Sequence, residues 1–196
     1  MPPELPLRLD SPRVAPLSGD ELTPEQAQAL RPVTARGPAL NIFRTLARSP
    51  KALSGFLPWG SYVLSRQNDL PSRERELVIL RTGWLCRSGY EWAQHVAIGR
   101  RSGLSDSDLE RIAAGPKAEG LSELDSVLLR AVDELHADQF ICESSWRQLR
   151  ARLSEKACMD LVFTVAQYTQ VSMILNSFGV QLENGDQASS TSGETA

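Results

Sequence analysis

Glu91 and His95 stand four residues apart. On a helix that spacing stacks them on one face, where a carboxylate and an imidazole can share a proton. A carboxylate beside an imidazole fixes its tautomer and raises its basicity, as a general base or proton shuttle requires. Glu76 precedes His95 by nineteen residues, with Ser88-Gly89 in between as a break. If that turn folds two helices antiparallel, Glu76 is carried back towards His95. The result is an acid–histidine–acid cluster between apolar helices, where pairing and desolvation shift protonation most. A Glu-x-x-x-His pair is often an exposed helix-surface pair, but this chain has only two histidines, and Tyr90 and Trp92 flank the motif. Cys86 lies just upstream, either a reactive thiol or a buried thiol acting as a small apolar residue. Arg81 is a candidate for bidentate contact with a substrate carboxylate if it turns inward.

The elements that must position these residues read as helices throughout. Thr23-Pro24-Glu25-Gln26 combines an N-cap hydroxyl, proline at the first helical position and glutamine three residues on. Ser49-Pro50 repeats the hydroxyl–proline start, and Pro58 and Gly60 are expected to bend or break the helix that follows. Ser72 opens a helix to about Cys86, with Leu77, Leu80 and Trp84 in step, and a second runs from about Tyr90 to Arg101, closing at Gly103. Ser105, Ser122, Ser144 or Ser145, and Ser154 start four more. The last, reaching about Phe178, is apolar around much of its circumference, as a helix at the centre of a bundle or at a subunit interface would be. Within it, Gln167, Tyr168 and Asn176 either reach a pocket or satisfy neighbouring helices. Runs such as Leu77-Val78-Ile79-Leu80 have charged flanks and no clean period of two, which argues against strands. The fold class is all-α.

Five prolines within residues 1–20 preclude regular structure there. Residues 1–22 are expected to form an extended arm on the body or over a neighbouring subunit, residues 23–183 the helical domain, and residues 184–196 a disordered tail.

Composition closes several classes. With 41% apolar and 23% charged residues the chain is ordinary for a globular protein, and a net charge of -3 offers no basic stripe for nucleic acid. Arg73, Arg75 and Arg81 gather locally, but Glu74 and Glu76 interrupt them, which reads as a solvated helix face. No apolar run approaches the ~20 residues needed to span a bilayer, and no secretory signal opens the chain. Three widely spaced cysteines, Cys86, Cys142 and Cys158, fit a reducing compartment, hence a cytoplasmic location. No glycine-rich phosphate loop is present. Asp133-x-x-His136 faintly echoes a carboxylate-bundle motif, but the paired repeats of a di-metal bundle are missing; neither metal nor cofactor is expected.

Glu76, then Tyr90-Glu91-Trp92-x-x-His95, then Ala97 and Gly103-Leu104-Ser105, resemble the core of the carboxymuconolactone decarboxylase-like superfamily, which includes AhpD-type alkylhydroperoxidases. The resemblance spans roughly residues 40–180 and is most specific at the Glu-Trp-x-x-His hairpin. It implies an all-helical protomer that usually assembles into homo-oligomers, commonly trimers or hexamers; the expected partner is a second copy of the chain, in a dimer, trimer or hexamer. The peroxidase branch carries Cys-x-x-Cys-x-x-x-His; at its two cysteine positions this chain has Ser88 and Glu91. A dithiol cycle cannot run without a resolving thiol, which leaves a one-cysteine peroxidase through Cys86 and an external thiol. The decarboxylase branch needs no metal, flavin or thiol. There the resemblance implies His95 as proton donor or acceptor, Glu91 as its orienting partner, and Glu76 as a second acid/base or positioning group. Tyr90, Trp92, Arg81 and Tyr168 are the candidate substrate contacts. The expected function is cofactor-independent acid/base chemistry, as a decarboxylase, lyase or isomerase on a small carboxylated or carbonyl compound. The alternatives are an AhpD-type peroxidase and a catalytically silent oligomer that binds a small molecule.

Overall fold

The computed structural model describes residues 3–35 and 37–183, and among these the regular structure is helical, with no strand. In chain order the α-helices are α1 (Pro24–Thr34), α2 (Asn41–Leu46), α3 (Pro50–Leu64), α4 (Ser72–Leu85), α5 (Gly89–Arg101), α6 (Asp106–Ala114), α7 (Glu123–Asp138), α8 (Glu143–Arg150) and α9 (Glu155–Phe178). Side-chain caps set four of these N-termini. Thr23 and Ser105 form full capping boxes, and the Ser122 and Ser154 hydroxyls accept from the N–H groups of Asp125 and Ala157.

Other boundaries differ from the sequence expectation. α3 runs unbroken through Pro58, which is exposed, so the hydrogen bond it cannot make falls on the solvent side. Pro71 occupies the N-cap of α4 and Cys142 that of α8, so serine is not the capping residue at either. The six-residue α2 has no side-chain cap and too short a period to be read from sequence.

Two hydrophobic cores lie side by side, and α4 is the wall between them. Leu77, Val78 and Leu80 face one core with Leu128, Leu149 and Leu161, while Ile79 faces the other with Leu53, Val63 and Tyr168. Eight consecutive residues of α4, Glu76 through Gly83, are therefore buried, and no face remains for solvent. The cluster of arginines is accordingly not a solvated face. Arg73 is paired with both oxygens of Asp125, and Arg81 is inside the protein.

α9 also serves both cores, through Leu161 and Val165 on one side and Val171 and Leu175 on the other. Contrary to the sequence expectation, it is the one described helix long and apolar enough to cross a membrane by length and composition. Its buried residues form the centre of the bundle.

The described part of the arm lies on its own chain. The N–H groups of Arg13 and Val14 donate to the Phe178 carbonyl, and that of Leu17 to the Arg44 carbonyl. Gly89 makes this packing feasible, because a Cβ there would stand 2.5 Å from the carbonyl oxygens of Leu5 and Pro6. The expected disordered tail, residues 184–196, lies outside the described residues.

Candidate active site

The hairpin of α4 and α5 carries the chemistry, and its turn is tighter than Ser88-Gly89 implied. Arg87, with φ of 51°, takes the left-handed position usually given to glycine. The Ser88 N–H then reaches back to the Gly83 carbonyl at 2.8 Å, satisfying the end of α4. This reversal lays α5 along α4 and returns His95 to the level of Glu76.

Glu76 Oε2 and His95 Nδ1 are 2.7 Å apart, with the side chains 2% and 10% exposed. Burial of this kind keeps water from competing for the hydrogen bond and strengthens it relative to a surface pair. Nδ1 is thus committed to Glu76, and Nε2 is the ring nitrogen with no protein partner among the described residues. Tyr168, from α9, meets the imidazole edge to face with ring centroids 4.9 Å apart. Burial, then the nearby Glu91 and Glu76 carboxylates, hold the Tyr168 phenol well above its ordinary range, so it remains an O–H donor.

Glu91 does not orient His95, as its spacing implied. Its Oε2 accepts from the Ser172 hydroxyl at 2.9 Å, and its Oε1 is buried without a partner. Gly83 makes the room: a Cβ on it would lie 2.7 Å from Glu91 Oε1. Desolvation, with a further contribution from Glu76, raises the Glu91 pKa well above the ordinary carboxylate range, against the lowering effect of Ser172. Burial thus favours the protonated form of Glu91 beside the Glu76–His95 hydrogen bond.

Cys86 opens onto this group. Burial and Glu91 push its thiol up, while the Ser172 and Thr169 hydroxyls beside it pull the other way. Its Sγ lies 3.9 Å from Nδ1 of His136 at the end of α7, and Asn176 donates to its carbonyl at 2.9 Å. Ser172 therefore touches both Glu91 and the surroundings of Cys86, a role no sequence spacing signals.

The remaining candidates point elsewhere. Arg81 does not face a substrate. Its Nε and Nη2 grip the two oxygens of Asp133 at 2.7 and 2.8 Å, and Nη1 donates to the Ile112 and Ala113 carbonyls at the end of α6. A cation closing a helix C-terminus and paired with a carboxylate is fully employed in structure. Asp133 is thereby tied to arginine, and among the described residues no three His, Cys, Asp or Glu side chains converge as metal ligands. Trp92 packs on Trp84 at 5.0 Å and donates from Nε1 to the Pro3 carbonyl, so it anchors the arm. Tyr90 belongs to the second core and donates to Glu183 at 2.8 Å. Both flank Glu91 in sequence, and these hydrogen bonds tie them to Glu183 and Pro3.

Two further buried polar atoms remain unmatched. Gln167 Oε1 and Arg75 Nε are buried with no hydrogen-bond partner, each at a cost of about 1–3 kcal/mol unless something else satisfies it. A wider cleft of about 670 Å³ between α1 and α3 is lined by Glu25, Pro32, Lys51 and Pro58, none of which belongs to this group.

The chain is all-helical and shares its fold with solved AhpD-like structures. Residues 50–133, which carry Glu76, Cys86, Glu91 and His95, match the Carboxymuconolactone decarboxylase family. Tyr168 and Ser172 lie beyond that match. A search of curated proteins found no match.

Solved structures share the fold at low identity. An uncharacterized peroxidase-related protein from Ralstonia eutropha JMP134, with an alkylhydroperoxidase AhpD core, has a TM-score of 0.73 at 18% identity, covering 88% of this chain and 94% of its own. An uncharacterized peroxidase-related protein from Silicibacter sp. TM1040 has a TM-score of 0.73 at 16% identity, covering 94% and 96%. The debrominase Bmp8, as a cysteine-to-alanine variant in complex with 2,3,4-tribromopyrrole, has a TM-score of 0.69 at 13% identity, covering 89% and 94%.

Proposed function

We propose that the protein is a cofactor-independent acid/base enzyme, a decarboxylase, lyase or isomerase acting on a small carboxylated or carbonyl compound. The observation that carries this reading is the buried 2.7 Å contact between Glu76 and His95. In it His95 moves the proton and Glu76 holds Nδ1–H, so that Nε2 faces the reacting carbon. In a decarboxylation the carbon–carbon bond to the carboxylate breaks, its electron pair enters an extended enolate, and protonated His95 returns a proton to carbon from Nε2. The Tyr168 O–H and the neutral Glu91 are donors of the kind that stabilise developing negative charge. The substrate is a small molecule, the protein works as a homo-oligomer, and the location is cytoplasmic.

Purified protein is tested with unsaturated lactone acids, following loss of enol absorbance and release of carbon dioxide. Activity that falls by about 10²–10⁴ in His95→Gln and persists in Cys86→Ser is the expected result. Equal turnover in wild type and His95→Gln sinks the reading.

A second reading uses Cys86 and is favoured by its place beside Ser172 and Glu91. The Cys86 thiolate attacks the peroxide oxygen, giving a sulfenic acid and an alcohol, and an external thiol restores it. Hydroperoxide consumption that requires Cys86 and added thiol supports this alternative. A thiol pushed up by burial speaks for the acid/base route.

A further inference from the structure

We propose that Arg75 is the anion anchor of the His95 site and binds the carboxylate of an organic acid substrate. The inference rests on the acid/base reading for its purpose, and it corrects the choice of arginine, since Arg81 is consumed by Asp133.

Three arginines lie along α4, and only one has a guanidinium to spare. Arg73 holds both oxygens of Asp125, and Arg81 holds both oxygens of Asp133. Arg75, between them and half-buried, donates from Nη1 to the Ser65 carbonyl at 3.1 Å, and its Nε is buried with no acceptor. Among the described residues it forms no ion pair. It also sits in the first turn of α4, where the helix dipole favours an anion over a cation. A partly buried arginine in that position, with no carboxylate and an unmet donor, is a binding residue whose partner comes from outside.

Its neighbours place it at the site. Arg75 adjoins Glu76, whose carboxylate holds His95, and its positive charge is felt by the Tyr168 phenol. The Ser65 carbonyl takes Nη1, and no protein acceptor among the described residues takes Nε. An organic acid held there has its charged end on Arg75 and the carbon framework towards Tyr168 and His95. A neutral carbonyl compound of the same shape gains nothing from Arg75, so this residue selects acids over esters and amides.

The test needs no knowledge of the natural substrate. Protein labelled with ¹⁵N-histidine is titrated with acetate and benzoate, and in parallel with the neutral acetamide and benzamide. The ring signals of His95 are followed, and His136→Gln assigns them. Wild type should bind the acids at least tenfold more tightly than the amides. Arg75→Gln should lose that preference, and Arg75→Lys should keep part of it. Equal affinity for acids and amides in wild type overturns the proposal without any variant. So does an acid preference that survives in Arg75→Gln, or the absence of any saturable shift with the acids.

The two readings fail separately. An acid that binds through Arg75 and is never turned over removes the acid/base reading and keeps the anchor. Turnover that depends on His95 but is unchanged in KM and acid preference by Arg75→Gln removes the anchor alone.

Discussion

Glu76 and His95, nineteen residues apart in sequence, share a buried hydrogen bond of 2.7 Å between Oε2 and Nδ1. The carboxylate that orients the imidazole thus comes from the neighbouring helix, and the one four residues away on the same helix is turned towards Ser172. Roles that sequence spacing assigns one way are exchanged by the packing of α4 against α5.

The exchange predicts an asymmetry between the two glutamates. Glu76→Gln should release the His95 tautomer, seen as a change in its ¹⁵N ring shifts, and lower turnover by about 10²-fold or more. Glu91→Gln should leave those shifts near their wild-type positions. Matching changes in both variants would count against the assignment.

Glu91 also imposes a pH dependence on stability. Its folded pKa lies well above the ordinary glutamate value of 4.5, so between the two values the folded state holds a proton that the unfolded state has lost. Stability then falls as pH rises through that window and levels off above the folded pKa. Denaturant titrations from pH 4.5 upward should show wild type losing stability relative to Glu91→Gln. A difference that stays constant or moves the other way would contradict a buried neutral Glu91.

The thiols should separate by chemistry. The Ser144 and Ser145 hydroxyls, with the Ser145 backbone, lower the Cys142 pKa, whereas burial raises those of Cys86 and Cys158. Iodoacetamide labelling read by mass spectrometry should modify Cys142 first at neutral pH, with Cys86 following only in alkali. Rapid labelling of Cys86 at pH 7 would restore weight to the peroxidase alternative.

Arg81 makes a prediction about stability. Removing it strands Asp133, which is 31% exposed, and frees the Ile112 and Ala113 carbonyls. Arg81→Met should cost about 2–3 kcal/mol in chemical denaturation, chiefly through the lost carbonyl and charged hydrogen bonds. Whatever acid binding the protein has should be retained at temperatures where the variant is folded. A variant of wild-type stability that fails to bind acids would return Arg81 to the site.

Most of the helices and the location of the chemistry are legible in the sequence, whereas the six-residue α2 is not. Hydroxyl caps at Thr23, Ser105, Ser122 and Ser154 act within one turn, so local chemistry suffices to read them. The concentration of chemistry at Glu76, Cys86, Glu91 and His95 is likewise visible in residue types and spacing. The direction of each side chain depends on packing that no local pattern encodes. α4 lies between two cores, so its arginines cannot share one solvated face, and three neighbouring guanidiniums end in three different environments. Ser172 enters from a helix some eighty residues away, and Gly83 admits Glu91 only because α5 lies against α4. Those are long-range packing contacts, and helical periodicity carries no information about which helix will lie opposite.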